Sequence, residues 1–271
     1  MNAGPIRSDM ANRQHQPPKP TSHCDISQVH QILIVDGFEL PAELPDTLAQ
    51  RIAHLKRLYA DAHYTMWTGE TLRAFIKEAF DNDVLWAFDY LKPYSYKSDL
   101  GRLCLLYAAG GLYSDIMLEH RAALHVPIQY GMAAFRQAWR FRPYTGSVSS
   151  SLIWSTPGRP EWRLAIDKIV VHCRERFYGE DCVEPTGPWL FGRACAAAAS
   201  DRWRAGQPDD QWMGVHSANG LIDNMIFHTP GIDSQAVAMR PLRPRGDWTA
   251  SRLAGTNDYS KMWEDKAVYG A

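Results

Sequence analysis

Asp99, Arg102 and Asp115 are the residues whose types and spacing could do chemistry. A carboxylate and a guanidinium three positions apart share one face of a helix, where they can pair with each other or meet a ligand together. Asp115 closes the run Leu112-Tyr113-Ser114, which reads as the end of a strand. In open α/β sheets, ligands sit outside the carboxyl ends of the strands, so an acid there stands where chemistry is usually done. Spacing alone leaves two readings open: a ligand site, or a local Asp99–Arg102 ion pair with Asp115 capping a turn.

The elements that must position these residues are legible around them. Leu100, Leu103, Cys104 and Tyr107 lie on one helical stripe, and Leu105, Leu106 and Ala108 cover much of the remainder, so the expected helix is largely buried. Ser98 or Asp99 is the expected N-terminal cap, and Gly110-Gly111 can end the helix by supplying positive φ. The strand expected next runs from Leu112 to Met117.

Upstream, the β-branched run from Val29 to Val35, ended by Asp36-Gly37, reads as a buried strand. Leu48, Ile52, Leu55 and Leu58 recur at helical spacing, and Tyr64 to Trp67 reads as a second strand, which implies a parallel crossover. Helices are expected over about 70–80 and 83–90. Downstream, 151–155 reads as a strand and 160–174 as a helix; Thr186-Gly187-Pro188 opens a further helix over 189–199. Gly, Pro and Arg residues between 230 and 256 read as loops. The expectation is an α/β domain over 26–271 with a mostly parallel central sheet, preceded by a flexible tail over 1–25.

Composition narrows the partners. The chain has 271 residues, of which 45% are hydrophobic, enough for a real core. Lys and Arg number 29 against 30 Asp and Glu, a formal charge of −1 that supplies no global field for nucleic acid or anionic lipid. Five cysteines without a C-x-x-C pair fit a reducing, cytoplasmic setting. No run approaches the roughly 20 apolar residues of a bilayer span, so no transmembrane segment is expected, and peripheral membrane contact stays open. His216 and His228 lack a ligand-spaced partner, Ser149-Ser150-Ser151 has no G-x-S-x-G elbow, and Arg240, Arg243 and Arg245 read as a solvated loop. Walker, G-x-G-x-x-G and H-E-x-x-H motifs are absent from the sequence.

Lys97-Ser98-Asp99-Leu100-Gly101-Arg102, followed by Leu106-Tyr107 and Gly110-Gly111-Leu112-Tyr113-Ser114-Asp115, resembles the DXD-motif sugar transferases of glycosyltransferase family 32. His30-Gln31-Ile32, Tyr64 to Thr68, Ser150 to Pro157 and Thr186-Gly187-Pro188 resemble that family's core segments in the same order, and the resemblance covers about residues 28–200. It implies a GT-A fold, a UDP- or GDP-linked sugar donor, and a divalent metal, Mn²⁺ or Mg²⁺, bridging the diphosphate to the DXD acids. Carried over, Asp99 and Arg102 face the nucleotide and sugar, and Asp115 is the first DXD acid. His30, Gln31, Ile32, Gly110, Gly111, Tyr113, Ser114 and Trp263 are the further donor-binding positions.

The second DXD acid falls at Met117, whose thioether is a poor ligand for hard cations. Asp265 or Glu119 is the substitute expected as second metal ligand. On an extended strand Glu119 would stand roughly 13 Å from Asp115, so the pair requires a sharp turn after Ile116. The resemblance implies retaining transfer of a hexose or N-acetylhexosamine to a glycan, lipid-linked or protein hydroxyl, in bacterial polysaccharide or glycolipid assembly. A protein-modifying effector and a non-catalytic sugar-nucleotide-binding protein are the rivals, the latter motivated by Met117.

Overall fold

A computed structural model describes residues 23–138, 146–219, 224–241 and 253–270. The elements in chain order are β1 (Gln28–Ile32), α1 (Asp46–Leu58), β2 (His63–Trp67), α2 (Gly69–Ala79), α3 (Asn82–Tyr90), α4 (Tyr94–Ala109), β3 (Gly111–Ser114), β4 (Glu119–His120), β5 (Met132–Ala138), β6 (Leu152–Ser155), α5 (Pro160–Glu175), α6 (Pro188–Arg204), β7 (Gln211–Asn219), β8 (Asn224–His228), β9 (Ala236–Pro241) and α7 (Tyr259–Glu264). Of the tail expected over 1–25, residues 1–22 lie outside the described residues, and so do Arg243 and Arg245. Residues 23–25 are tied down, with the Cys24 amide donating to the Val126 carbonyl at 2.8 Å.

One nine-stranded sheet runs in the order β2-β1-β3-β6-β5-β7-β8-β9-β4. The pairs β1–β2, β1–β3 and β5–β7 are parallel. The pairs β3–β6, β5–β6, β7–β8, β8–β9 and β4–β9 are antiparallel. The expected mostly parallel sheet is therefore corrected to a mixed one. Its first half is wound through helical crossovers, which force parallel pairing; β7, β8 and β9 follow one another with no helix between them, so each reverses direction. The loops expected over 230–256 include β9, which is held by its pairing to β8 and β4.

α4 is the spine of the core. Leu100, Cys104, Leu105 and Leu106 are fully buried within a cluster that also holds Trp162, Ile166 and Ile169 of α5 and Phe191 of α6. Gly101 allows that packing, since a Cβ there would come 2.4 Å from Leu72 Cδ2. The helix begins at Tyr94 with Pro93 before it, so Ser98 and Asp99 lie inside it and cap nothing. The proline sets the start because its fixed φ and missing N–H suit the residue at a helix's edge. Gly110 at φ 68° and Gly111 at φ 91° end the helix as expected.

Candidate functional site

β3 runs up the middle of the sheet, with Leu112 and Tyr113 buried, and delivers the chain to Asp115 at its carboxyl end. There the backbone turns: the Leu118 amide donates to the Asp115 carbonyl at 3.0 Å, and the Asp115 amide donates to Ser151 beside the start of β6 at 2.8 Å. The strand expected to reach Met117 thus stops at Ser114. The turn leaves the Asp115 side chain 27% exposed, the most open member of its group.

Arg102 reaches this acid from α4. Its Nη1 donates to Asp115 Oδ1 at 3.2 Å, its Nη2 lies 3.4 Å from Asp99 Oδ1, and its Nε donates to the Ser98 carbonyl at 3.0 Å. Nη1 also donates to the Ser150 carbonyl. The guanidinium lies 4.5 Å over the Tyr113 ring, whose hydroxyl donates to Asp115 Oδ1 at 2.7 Å. One arginine therefore bridges two carboxylates and is braced on three sides, a pre-organised arrangement.

Asp99 is the deeper acid. Ser150 Oγ donates to its Oδ1 at 3.3 Å, and Thr186 Oγ1 donates to its Oδ2 at 2.9 Å. Burial pushes its pKa up to about 6, against the opposing pull of Arg102 and the Thr186 hydroxyl. Gly187 stands against it; a Cβ there would approach Asp99 Oδ2 to 3.3 Å and the Val183 carbonyl to 2.9 Å. The Asp99–Arg102 ion pair expected from spacing exists, and Asp115 joins it through the same guanidinium. Ser150 and Thr186 are the members that sequence reasoning missed as side-chain partners. They sit 51 and 87 positions from Asp99, and their signal was the segments Ser150 to Pro157 and Thr186-Gly187-Pro188.

The remaining predicted positions are used elsewhere in the fold. His30 is 2% exposed; its Nδ1 accepts from Trp67 Nε1 at 3.3 Å and its Nε2 faces the Gly110 carbonyl at 3.1 Å. That pairing fixes the neutral Nε2–H tautomer, and burial pushes its pKa down to about 4. Gln31 accepts from Tyr64, and Ile32 packs in the main core. Gly110 and Gly111 mark the opposite end of β3 from Asp115, where Cβ atoms would meet Ser155 O at 2.7 Å and Gln28 O at 2.9 Å. Ser114 turns inward to His120 Nε2 at 2.8 Å. Trp263 donates to the Tyr178 carbonyl at 2.7 Å, pinning α7, and Lys266 lies 4.7 Å over its ring. Of the expected site, the structure gathers Asp99, Arg102, Tyr113 and Asp115.

The metal expectation meets a different donor set. Met117 is 8% exposed and packs with Leu33, Val35, Leu48, Ile52, Ile116 and Leu253. Glu119 begins β4, where it pairs with Arg121 at 3.1 Å, and Asp265 is an exposed residue ending α7. Glu119 is thus paired with a cation of its own. The chain does turn after Asp115, and β4 then pairs Glu119 with Met239 of β9. Among the described residues, no three His, Cys, Asp or Glu side chains are grouped to hold a metal. What remains is one partly open carboxylate that shares the Arg102 guanidinium with Asp99, with a thioether where a second acid would stand, and this donor set does not fit a resident divalent metal.

Residues 45–124 match the family model described as a glycosyltransferase sugar-binding region containing the DXD motif, and that span holds Asp99, Arg102, Tyr113 and Asp115. An uncharacterized glycosyltransferase, L373, of Acanthamoeba polyphaga mimivirus is 26% identical over 132 residues, covering 49% of this chain and 50% of the relative. Inositol phosphoceramide mannosyltransferase 3 of Schizosaccharomyces pombe is 27% identical over 106 residues, 38% of this chain and 27% of the relative. The chain thus spans half or less of the length of these relatives. A solved structure titled PaToxG Glycosyltransferase superposes with a TM-score of 0.46 at 15% identity, over 68% of this chain and 80% of that one.

Proposed function

We propose that this chain, whose residues 45–124 are a glycosyltransferase sugar-binding region of the DXD-motif kind, transfers a sugar from a nucleotide-diphosphate donor to an acceptor hydroxyl on a GT-A framework. The observation that carries the reading is the Asp99–Arg102–Asp115 bridge at the carboxyl end of β3, where α/β sheets bind ligands. Buried, hydrogen-bonded carboxylates with one open edge suit a polyhydroxyl ligand, because the Asp115 oxygen that faces neither Arg102 nor Tyr113 can accept a sugar hydroxyl in fixed geometry.

Each residue then has a task. Arg102 holds the two acids at set positions and offsets part of their charge. Tyr113 orients Asp115 through its hydroxyl. Asp99, fixed by Thr186 and Ser150, accepts hydrogen bonds from the donor once it is ionised. The arrangement favours a pre-organised ligand orientation, which is where positioned polar groups contribute most to catalysis.

The name of the fission-yeast relative makes mannose the first sugar to test, with other hexoses and N-acetylhexosamines after it. UDP and GDP are the carriers to compare, glycans, lipid-linked sugars and proteins are the acceptors to screen, and bacterial polysaccharide or glycolipid assembly is the pathway this reading favours. Retention of the donor's anomeric configuration is the expected stereochemical course, and a cytoplasmic setting with peripheral membrane contact the expected location. Among the described residues no helix is long and apolar enough to cross a membrane. A non-catalytic sugar-nucleotide-binding protein is the second reading, favoured by Met117 alone.

Turnover of a panel of UDP- and GDP-sugars, followed by proton NMR of the released or transferred sugar, tests the reading. Sugar release or transfer with the donor's anomeric configuration kept supports it. Tight binding with no turnover across the acceptor panel supports the non-catalytic reading.

A further inference from the structure

The turn after Asp115 carries a different chemistry from the one the resemblance implies. Met117, where the resemblance places the second acid, buries its thioether among Leu33, Val35, Leu48, Ile52, Ile116 and Leu253. From α1, Arg51 reaches the same turn and donates Nη1 to the Met117 carbonyl at 3.1 Å. Arg51 is half-buried, and among the described residues its side chain makes this one hydrogen bond, so a guanidinium with five N–H donors has capacity to spare there. Arg102 has less in reserve, because Asp99, Asp115 and the Ser98 and Ser150 carbonyls already occupy four of its five donors.

A nucleotide-diphosphate donor brings negative charge to this turn, and a leaving diphosphate gains more as its bond to the sugar breaks. Something positive must meet that charge. A carboxylate pair would recruit a divalent cation to do so; a thioether in an apolar cluster beside a guanidinium does not. We propose that the site binds the diphosphate of its donor without a divalent metal, with Arg51 supplying the cation at the Met117 turn. The proposal rests on the sugar-nucleotide reading above. It assigns a phosphate-binding residue that lies on α1, far in sequence from the acids.

Titration calorimetry of the full chain with UDP and with GDP, each in EDTA and in millimolar Mn²⁺, tests it. The expected result is that one nucleotide binds with the same dissociation constant in both conditions. Arg51→Gln should weaken that binding about tenfold, the lower end of what a lost charge-assisted bond costs. Arg51→Lys should recover part of the loss, and the matching nucleoside, which lacks phosphate, should bind wild type and Arg51→Gln alike. A merely structural Arg51 would weaken nucleoside and nucleotide together, which overturns its assignment. Binding that needs Mn²⁺ overturns the proposal and leaves the glycosyltransferase reading intact; failure of both nucleotides in both conditions removes the two together.

Discussion

Two carboxylate–guanidinium networks stand at opposite ends of this sheet, built from the same residue types and put to different use. Asp99, Arg102 and Asp115 gather where β3 ends, and Asp115 stays 27% exposed. Arg159, Glu161 and Asp210 gather where β5 and β7 begin: Arg159 pairs Glu161 at 2.6 Å and also holds Asp210, which Arg202 joins at 3.0 Å. In that second network Glu161 is fully buried, and Gln211 spends its amide on Glu161 Oε1 at 2.9 Å and on the Cys195 carbonyl. Every oxygen there faces a protein donor, and Gly131 lies so close that a Cβ would collide with the Arg159 guanidinium. A closed network ties α5, α6 and the β5–β7 edge together; an open one, with an acid edge facing out, can take a ligand. Exposure alone does not separate the two, since Asp210 is 20% exposed; the difference is that both donors to Asp115 fall on its Oδ1, which leaves its other oxygen for a ligand.

The comparison can be broken from either side. Glu161→Ala leaves Arg159 a buried charge with half its partners gone, so thermal or chemical denaturation should show a loss of about 3–5 kcal/mol. A loss below 1 kcal/mol would mean that the closed network is not structural.

A smaller effect is expected in the open network from pH. Burial raises the pKa of Asp99 from its ordinary 3.8 to about 6, so it is protonated in a window where an ordinary aspartate is charged. If the ionised form binds the donor, affinity should rise about tenfold between roughly pH 5 and 7, and Asp99→Asn should flatten the profile. The same group acts on folding with the opposite sign. Its raised pKa means that the unfolded state loses its proton first, so this contribution to stability is largest below the unfolded pKa and fades as pH rises through about 6.

The smallest effect comes from Thr186→Val, which removes one hydroxyl from Asp99 Oδ2. Donor affinity should fall about fivefold, as a loss of roughly 1 kcal/mol implies. Because that hydrogen bond favours the charged form, the midpoint of the pH profile should also move up from about 6. An unmoved midpoint would show that Thr186 does not tune Asp99.

The sequence made the open network legible because α4 and β3 are adjacent in the chain. The apolar stripe, the paired glycines and the acid beyond them place Asp99, Arg102 and Asp115 within 17 residues of one another. Ser150 and Thr186 arrive only through the fold, since no local pattern shows that a serine before β6 and a threonine before α6 share one carboxylate. The parallel half of the sheet was readable from strand–helix alternation. The other half was not: β5, Met132-Ala-Ala-Phe-Arg-Gln-Ala138, is composed largely of good helix formers and becomes a strand through seven register pairs with β7. Met117 could be flagged as a poor ligand from its type, but the apolar cluster that receives it spans residues 33 to 253 and exists only in three dimensions.

The most direct test of the central claim is equilibrium binding of UDP- and GDP-sugars to three proteins: wild type, Asp115→Asn from the open network and Asp210→Asn from the closed one, with thermal melts confirming that each is folded. The account predicts that a nucleotide sugar binds wild type, loses at least about tenfold in affinity with Asp115→Asn, and binds Asp210→Asn as it binds wild type. Equal binding by wild type and Asp115→Asn, or no binding by any folded protein, would contradict it.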